Sequence, residues 1–512
     1  MLDLTQLSKY KENNRIEAKK AQGGLPHSIW ETYSAFANTF GGYILLGVVE
    51  NADKSFSSVP LPAPEKLVSD FWNSVNNHSI VNVNILSDRN VQIVESGGNQ
   101  IVVIEVPRAD RHDKPVYTGV DPFSGTYRRN GEGDYRCTKD EVRAMMRDQA
   151  DISQDARVMD TMTIDCLDTD TIRRYRQRMD NLRPGHVWSE LAVEDFLHRI
   201  GAMARDADGK LRPTAAGLLM FGHEYEIVRE FPHYFLDYQE HDRSATEDER
   251  WTDRIVSGSG DWSGNICDFY FRVYNRISQD IKVPFKLEGT DRIDDTPLHK
   301  ALREALANAL IHADYYDRRG LVIQKWPDKI RIANPGAFRI NVQEALVGGV
   351  SDPRNESLIK MFNLINVGER AGSGLPSIRT VWQKQGWQEP EIVESFNPDR
   401  TTLVLSLAAN KVAAKSGEKK RRKVQFHLRE EEERHSSIFD RHTGSQQHPN
   451  CRRHRLASFP NKDVFVRADC QWSDCCGGQQ QGKKISIEVV NSYKLSSART
   501  ILLCHITSNC IV

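Results

Sequence analysis

The order of hydrophobic and polar residues along the chain predicts alternating helices and strands. In residues 28–40 the apolar side chains recur at helical spacing, so we predict an amphipathic helix there. Residues 43–49 and 100–106 are short apolar runs of the kind that form buried strands. Residues 138–147 begin with threonine and carry glutamate three positions later, which is a capping-box signal for a helix start. The first 150 residues therefore indicate an α/β module.

The pattern becomes mainly helical in the middle of the chain and then changes back. Residues 169–179 and 187–200 show the spacing of helices, and residues 210–221 indicate a turn and a cap that lead into an apolar helix. Strand-like runs return at 321–326, 329–333 and 401–407. We therefore predict a helical connecting segment followed by a second α/β domain.

Composition sets the scale of this organisation. A chain of 512 residues has room for about three domains, and its 39% hydrophobic content is typical of globular cores. The net charge of −1 creates no overall field towards nucleic acid, so such contacts must rest on local patches. We expect a multidomain α/β (α+β) protein with segments 1–150, 157–290, 291–408 and 409–512.

Targeting and redox signals are absent from the sequence pattern. The first residues lack the apolar core of a signal peptide, and no run of 18 apolar residues predicts a membrane span. The three cysteines before residue 450 are scattered too widely for a disulfide framework or a metal cage. We therefore expect a cytoplasmic protein without a membrane partner.

The helix predicted at 302–312 carries three polar residues on one face. Glu304, Asn308 and His312 recur every four positions, whereas leucine and alanine side chains line the opposite side. An amide oxygen is a suitable Mg²⁺ ligand, and a carboxylate one turn away can orient water for attack on phosphate. A helix with an ordinary polar face is the simpler interpretation of this motif alone.

Two glycine motifs follow in a fixed order. The first is Asn334-Pro335-Gly336 and the second is Gly372-Ser373-Gly374. Taken singly, they predict a turn and a helix cap. Taken together after the polar helix, they predict nucleotide binding.

This ordered set resembles the ATP-binding domain of the GHKL superfamily, in the divergent version found in bacterial transcriptional regulators and helicase-related proteins. The resemblance implies an α/β sandwich that binds ATP and Mg²⁺. It implies the following roles: Glu304 as the catalytic carboxylate, Asn308 as the magnesium-holding amide, Asn334 and Gly336 in the adenine-binding box, and Gly372 and Gly374 over the phosphates. Asn334 replaces the usual aspartate and Phe338 replaces the second glycine of the box. Since an asparagine carbonyl can accept the same hydrogen bond, we expect binding to survive better than hydrolysis.

Two further residues are candidates near the nucleotide. His312 ends the polar helix face and is predicted beside the nucleotide, with a core or surface histidine as the alternative. Arg354, in the segment Asp352-Pro-Arg-Asn355, can contact a phosphate bidentately. A structural ion pair is the alternative for Arg354.

The first 140 residues contain a second set of motifs. They are Glu17-Ala-Lys19, a Ser-Ala-Phe-Ala-Asn-Thr helix at 34–39, a double glycine at 41–42, a Leu-Gly-Val strand at 46–48 and Tyr127-Arg-Arg-Asn-Gly131. These residues closely resemble the Schlafen AlbA_2 module. Relatives of this type pair the module with the divergent ATP-binding domain in the same order, so the two resemblances support each other.

The AlbA_2 resemblance suggests contact with nucleic acid, either DNA or RNA. Lys19, Lys20, Arg128 and Arg129, with Arg136, are candidates for a basic surface that binds phosphates. An ordinary solvated charge pattern is the alternative.

A metal-dependent nuclease is a sharper hypothesis for the same module. Some Schlafen relatives use two glutamates at the spacing of Glu12 and Glu17 with a third acid to hold a divalent metal. Glu50 is the candidate third acid, and Asp53 is the reserve. Three carboxylates around a metal suit phosphodiester cleavage. The alternative is a solvated leader in which Glu17 pairs with a basic neighbour.

The tail after about residue 409 differs from the rest of the chain. A basic linker precedes a run of acids, and residues 451–510 hold six of the nine cysteines. Zinc binding is disfavoured because adjacent Cys475-Cys476 is a poor chelating pair. Relatives often end in a winged helix, and residues 469–474 can be encoded so that the next frame reads Ile-Ala-Asn-Gly-Leu. We interpret the tail as poorly ordered and as a frameshifted winged helix.

Three functions agree with these patterns. The first is a bacterial regulator of transcription whose ATP-binding domain changes shape or oligomeric state, since GHKL relatives commonly dimerise on ATP. The second is a Schlafen-like ribonuclease gated by ATP, with phage defence as a setting. The third is an ATP-binding scaffold without turnover.

Overall fold

The computed structural model describes the greater part of the chain. It covers residues 7, 10–242, 251–279, 296–368, 372–396 and 398–408, and short strands at 286–288, 291–293, 469–472 and 483–486. The chain divides into two compact units, Met1–Glu418 and Lys419–Val512. Within the described parts, mixed sheets and helices confirm the predicted α+β class. None of the helices there is long and apolar enough to cross a membrane.

The N-terminal module, residues 10–150, is built on a four-stranded sheet with the order β1-β2-β6-β5. Strand β1 is parallel to β2, and the other neighbours are antiparallel. The elements in chain order are β1 (Ile16–Lys19), α1 (Ile29–Asn38), β2 (Gly42–Leu46), β3 (Val48–Glu50), β4 (Phe56–Ser58), α2 (Pro64–Val75), β5 (Val91–Ser96), β6 (Asn99–Val106), α3 (Pro122–Gly125), β7 (Tyr127–Asn130), β8 (Gly133–Arg136) and α4 (Lys139–Gln149).

Helix α1 explains why its motif mixes apolar and polar residues. Ile29 and Phe36 are fully buried in the core, and nine of the ten residues of α1 are buried, so the predicted helix is present but is covered on all sides and has no polar solvent face. Asn38 is also fully buried, but its side chain donates to the carbonyls of Val116 and Tyr127 and accepts from the Val116 amide. A buried amide must find such partners. The motif therefore ties the helix to the segment that leads into β7.

The predicted strand at 43–49 is split in two. Gly47 has φ +85°, which L side chains rarely adopt, and a Cβ there would lie 2.8 Å from Leu61. Its amide donates to the Lys19 carbonyl and its carbonyl accepts from the Val59 amide. The chain therefore leaves β2 at this glycine and pairs with β4 as β3.

The middle segment is mainly helical at first, as predicted, and ends in strands and a long helix. Its elements are α5 (Thr169–Leu182), α6 (Val193–Ile200), β9 (Met203–Arg205), β10 (Leu211–Pro213), α7 (Ala215–Phe221), α8 (Glu224–Glu230), β11 (Leu236–Glu240), β12 (Asp253–Val256) and α9 (Ile266–Gln279). Helix α7 is buried along its whole length, which explains its run of apolar residues.

The remaining elements of the first unit complete a six-stranded sheet. They are β13 (Lys286–Glu288), β14 (Asp291–Ile293), α10 (Pro297–His312), β15 (Leu321–Trp326), β16 (Lys329–Pro335), α11 (Val342–Val347), α12 (Glu356–Leu364), α13 (Gly374–Lys384), β17 (Glu391–Ser395) and β18 (Arg400–Ser406). The sheet order is β12-β11-β15-β16-β18-β17, and only the β11–β15 pairing is parallel.

Two strands of the middle segment thus belong to the sheet of the nucleotide domain. One continuous hydrophobic core contains side chains from α5, α7 and α9 together with those of α10, α12 and α13. Strand pairing over this distance leaves no local mark in the sequence, so the pattern alone did not indicate that β11 and β12 join the later sheet.

The second unit contains two described strands. Strands β19 (Asp469–Trp472) and β20 (Lys483–Ser486) are antiparallel. The hypotheses of a linker after residue 409, a zinc site and a frameshifted winged helix fall almost wholly on residues outside the described ranges.

The junction between the N-terminal module and the nucleotide domain is held by arginine–carboxylate pairs. The pairs include Arg108–Glu394, Arg111–Asp352, Arg128–Asp399, Arg147–Asp314 and Arg354–Asp148. Phe40 and Phe396 meet edge to face beside them, with 4.9 Å between ring centroids. Most of these arginines are largely removed from water, so the carboxylates compensate the cost of their desolvation. The pairs also fix the position of the N-terminal module relative to the nucleotide domain.

Lys114 lies within this junction and is electrostatically unusual. The pKa of Lys114 is lowered to about 7, first because burial disfavours the ammonium and then because Arg108 and Arg128 repel it. Glu394 and Asp399 oppose this shift without cancelling it. The junction therefore holds a lysine that titrates near neutral pH.

We expect Lys114 to give the folded protein a distinct pH dependence. The unfolded chain keeps this proton up to its ordinary pKa of 10.5, whereas the folded protein releases it near 7. The free energy of unfolding should therefore rise between pH 7 and pH 10, by at most about 1.4 kcal/mol per pH unit. Lys114→Met should flatten this rise in urea unfolding at several pH values, whereas exposed Lys139→Met should not. Parallel pH curves for wild type and Lys114→Met would contradict the assignment.

Candidate functional site

Helix α10 displays its polar residues as the spacing predicts. Its neighbours Ala305, Leu306 and Ala307 are buried, whereas Glu304 and Asn308 remain half-buried at the open edge. The amide Nδ2 of Asn308 donates to Oε1 of Glu304 over 3.2 Å. That hydrogen bond uses an amide hydrogen, so it is compatible with a role for the Asn308 oxygen as a ligand.

The second glycine motif meets this face of α10. Gly374 is the first residue of α13, and a Cβ there would lie 2.4 Å from Oε1 of Glu304 and 2.6 Å from Nδ2 of Asn308. With glycine at this position the two side chains reach the backbone without shifting, whereas a Cβ would make them move. The positive end of the α13 dipole consequently faces a carboxylate and an amide.

Gly349 and Gly372 join the segment after α11 to the segment before α13. The Gly349 amide donates to the Gly372 carbonyl over 3.2 Å. Gly372 has φ +64°, and a Cβ there would lie 2.5 Å from the Val350 carbonyl oxygen. The segment after α11 is therefore fixed on the segment before α13, although residues 369–371 lie outside the described ranges.

The first glycine motif lies near the other end of α10. Asn334 is 7% exposed and pairs in register with Thr401 at the end of β16. The Asp314 amide, just after α10, donates to the Pro335 carbonyl over 3.0 Å. Glu304 and His312 are about 12 Å apart along the axis at 1.5 Å per residue. The helix thus has one glycine motif along its side and the other beyond its C-terminal end.

His312 is held as a neutral imidazole. The pKa of His312 is lowered to about 4, first by burial and then by repulsion from Arg354 and Arg339. It is therefore uncharged at neutral pH and can act as a donor or an acceptor. Its predicted place beside the nucleotide stays a prediction.

Arg354 is fully engaged by protein groups in the structure. Its Nε and Nη2 donate to the two carboxylate oxygens of Asp148 over 2.9 and 2.8 Å. Its other contacts are the carbonyls of His312 and Ala337. Although burial opposes ionisation of Asp148, its Arg354 partner lowers the pKa of this carboxyl overall. The structure thus shows an ion pair for Arg354, and the phosphate contact stays a prediction.

The basic residues predicted to contact nucleic acid are placed differently from one another. Arg128 and Arg129 are 7% and 4% exposed, and both are ion-paired. Lys19 pairs with Glu17 over 2.7 Å, whereas Lys20 is exposed. Arg136 is exposed as well and stacks on Tyr127. A basic surface formed by these residues therefore stays a prediction, in which the exposed residues are Lys20 and Arg136.

The three glutamates of the nuclease hypothesis lie close enough for the charges of Glu17 and Glu50 to act on Glu12. The pKa of Glu12 is raised, mainly by burial and then by the charges of Glu17 and Glu50. Glu17 is held by Lys19 and, over 2.8 Å, by Arg129. Within the described ranges, no group of three or more His, Cys, Asp or Glu side chains has the geometry of a metal site. The residues as placed therefore do not fit a protein-held metal ion.

Family profiles match three parts of the chain. Residues 9–138 match the Schlafen AlbA_2 family. The chain therefore carries a Schlafen AlbA_2 domain over this part of its length. Residues 319–405 match the family described as Putative ATP-dependent DNA helicase recG C-terminal, and residues 143–237 match a domain of unknown function, DUF8451. The AlbA_2 and RecG-type domains associate the protein with nucleotides and with DNA-related proteins.

Solved structures are also similar to parts of this chain. The DIP2311 protein from Corynebacterium diphtheriae is 18% identical, covers 78% of this chain and 76% of its own, and gives a TM-score of 0.39. The N-terminal domain of a RecG-related putative ATP-dependent DNA helicase from Nitrosomonas europaea is 36% identical, covers 27% of this chain and 95% of its own, and gives a TM-score of 0.21. No curated protein matches significantly.

The RecG-type match begins after α10. It contains Asn334, Gly336 and Gly374 but ends short of Glu304 and Asn308 on the N-terminal side. The structure unites the two parts because Gly374 packs on that helix. Residues that sequence reasoning missed are Arg108, Glu394 and Asp399, which contact the loop after Asn334. Each of the three residues is more than 50 positions away from that loop in the sequence. No local motif could therefore reveal these contacts.

We expect two neighbouring glycines to respond differently to alanine. Gly374→Ala should change the free energy of unfolding by less than about 1 kcal/mol, because the atoms in its way are ends of flexible side chains. Gly372→Ala should cost about 2 kcal/mol, because its positive φ and the Val350 backbone leave no such escape. Urea unfolding of both variants tests this. Equal losses would show that the loop packing is misassigned.

Glu17→Gln tests the glutamate cluster. The loss of the Glu17 carboxylate should cost about 1.5 kcal/mol in the free energy of unfolding, measured with urea, because buried Arg129 keeps its ion pair with Asp134. Exposed Glu65→Gln should cost almost nothing. If the wild type cleaves RNA with Mn²⁺, loss of cleavage in Glu17→Gln under conditions where it is folded would support the nuclease alternative. Undiminished cleavage would end it.

Proposed function

We propose that this protein is an ATP-binding, nucleic-acid-associated regulator whose RecG-type domain responds to nucleotide. One observation carries the proposal: the N-terminus of α13 lies against Glu304 and Asn308, and its first residue is a glycine that leaves room for both side chains. A helix start, an amide and a carboxylate therefore meet at one place.

The proposed binding site uses one side of α10 and its C-terminal end. Gly372 and Gly374 would cover the phosphates, and Asn308 would hold Mg²⁺ together with phosphate oxygens. Such shared coordination is usual for Mg²⁺, which neutralises phosphate charge when bound. The absence of an acidic metal cluster in the described ranges agrees with a metal that arrives with nucleotide.

The base would lie beyond the C-terminal end of the same helix. Asn334 is nearly buried, and no hydrogen bond of its side chain is found among the described residues. Its carbonyl oxygen can accept from the adenine amino group. Gly336, with φ +97°, turns the chain immediately after it.

Hydrolysis is a separate proposal within the same site. Glu304 would orient the attacking water, and its hydrogen bond from Asn308 would fix its orientation. Glu304→Gln should then retain ATP binding and lose phosphate release, in a coupled phosphate assay. An ATP-binding scaffold would release no phosphate in either form.

Mg·ATP binding by calorimetry is the decisive measurement. The wild type should bind, and Asn308→Ala should weaken binding by about 100-fold, equivalent to about 2.7 kcal/mol. The matched control is Asn181→Ala, an exposed asparagine in α5. Absence of binding by the wild type, or equal binding by both asparagine variants, would refute the proposed site.

The regulatory part of the proposal rests on nucleic acid and assembly. A regulator should bind DNA or RNA differently with and without Mg·ATP, and the wild type should change its oligomeric state with nucleotide. Gel-shift and light-scattering measurements on wild type and Asn308→Ala test both properties. Nucleic-acid binding that is identical in every nucleotide state would leave an ATP-binding protein without this regulation.

A further inference from the structure

The loop Asn334–Phe338, here called the adenine loop, is contacted directly by Arg108 of the N-terminal module. Three other supports, Glu394, Arg354 and Asp399, lie in its own domain, and each is ion-paired with a residue of that module. The loop follows β16. These four residues therefore either belong to the N-terminal module, which includes helix α4, or are paired with a residue of it. Three ion pairs of the junction are involved, and each contributes a different contact.

The first pair clamps Phe338 from both sides. Arg108 comes just after β6, and its Nη2 donates to the Phe338 carbonyl over 2.6 Å. The same Nη2 donates to Oε1 of Glu394 over 2.8 Å, and that oxygen accepts from the Phe338 amide over 2.8 Å. Glu394 is 3% exposed. Both backbone groups of Phe338 are thus satisfied by one desolvated arginine–glutamate pair.

The second pair supports the residues before Phe338. Arg354 donates to the Ala337 carbonyl over 3.0 Å and to the carbonyl of His312 at the end of α10. A Cβ on Gly336 would lie 2.6 Å from this guanidinium, so the glycine backbone rests directly on it. Asp148, in the last turn of α4, holds the guanidinium bidentately.

The third pair reaches Gly336 through its partner strand. The Gly336 amide donates to the Asp399 carbonyl over 3.0 Å. The Asp399 carboxylate in turn accepts two hydrogen bonds from Arg128 of β7. All three supports therefore depend on a side chain that lies before residue 150.

We propose that the N-terminal module and α4 position the adenine loop, with Arg108 and Asp148 as positioning residues for the base of the nucleotide. The inference rests on the proposed function, because it concerns the same site. Neither residue would touch the nucleotide. Arg108 holds the loop backbone directly, whereas Asp148 acts through Arg354, and together they keep the conformation that presents Asn334. A preorganised loop loses less freedom when ligand binds.

This arrangement makes the coupling reciprocal. If the module stabilises the binding conformation of the loop, nucleotide must stabilise the same junction by an equal free energy. Ligand at Asn334 would then tighten the contacts of β6, β7 and α4 with the later domain. The AlbA_2 domain would sense the nucleotide through its own arginines.

The test compares two probes that share the phosphates and differ in the base. Dissociation constants of Mg·ATP and of Mg·tripolyphosphate are measured by calorimetry on the full chain. Arg108→Lys keeps the charge beside Glu394 but loses the forked contact with Phe338. It should weaken ATP by about 10-fold, a usual size for coupling between sites, and leave tripolyphosphate unchanged.

A second variant and two controls complete the experiment. Asp148→Asn removes the charge that holds Arg354 and should show the same selective loss for ATP. Exposed Arg89→Lys and Asp151→Asn, the latter 92% exposed, should bind both probes as the wild type does. Thermal unfolding confirms that each variant is folded at the temperature used.

The outcomes separate this inference from the proposed function. Wild-type ATP binding with unchanged affinity in both Arg108→Lys and Asp148→Asn overturns the positioning role and leaves the nucleotide site intact. Equal weakening of ATP and tripolyphosphate also overturns it, since general damage to the fold would affect both probes. No ATP binding by the wild type overturns the proposed site and this inference with it.

Discussion

Charge that has been removed from water must be paired, and this requirement organises the first unit of the chain. Arg128 and Arg354 retain less than a tenth of their surface, so each would be costly without a carboxylate. Such pairs often add little net stability over apolar contacts, but breaking one leaves an uncompensated charge and costs about 3–5 kcal/mol. The ion pairs therefore fix the position of Asp399 relative to Arg128 and of Asp148 relative to Arg354. The loops next to these residues are fixed with them.

Helix α10 transmits the placement to the candidate site. Its side faces the start of α13, and its C-terminal end is joined to the adenine loop through Arg354 and the Pro335 carbonyl. A helix of 16 residues is rigid and therefore fixes the distance between the two loops that it contacts. Glycines complete the arrangement where backbone must touch side chains. The candidate site is consequently a product of tertiary packing around one helix, with its motifs drawn from three separate stretches of sequence.

The sequence predicted local features well and distant pairings poorly, for a physical reason. The face of Glu304 and Asn308 follows from the 3.6-residue period, and the Thr138 cap follows from two residues three positions apart. Arg128 and Arg129 looked like surface charges because their partners, Asp399 and Glu17, are far away in the chain. Side-chain type sets what a residue can bind, whereas topology decides which partner reaches it. The same limitation hid the pairing of β11 with β15.

That pairing has a consequence for how the protein is made. Leu236 of β11 pairs with Leu321 of β15, a strand that leaves the ribosome 85 residues later. At about 5–20 residues per second, β11 waits roughly 4–17 s for its parallel neighbour. During that interval β11 can pair with β12, but Leu236 and Tyr238, both fully buried at the end, lack β15 and the later part of their hydrophobic core. The nascent chain is then open to aggregation and to chaperone binding, and slower translation between the two strands would lengthen the exposure.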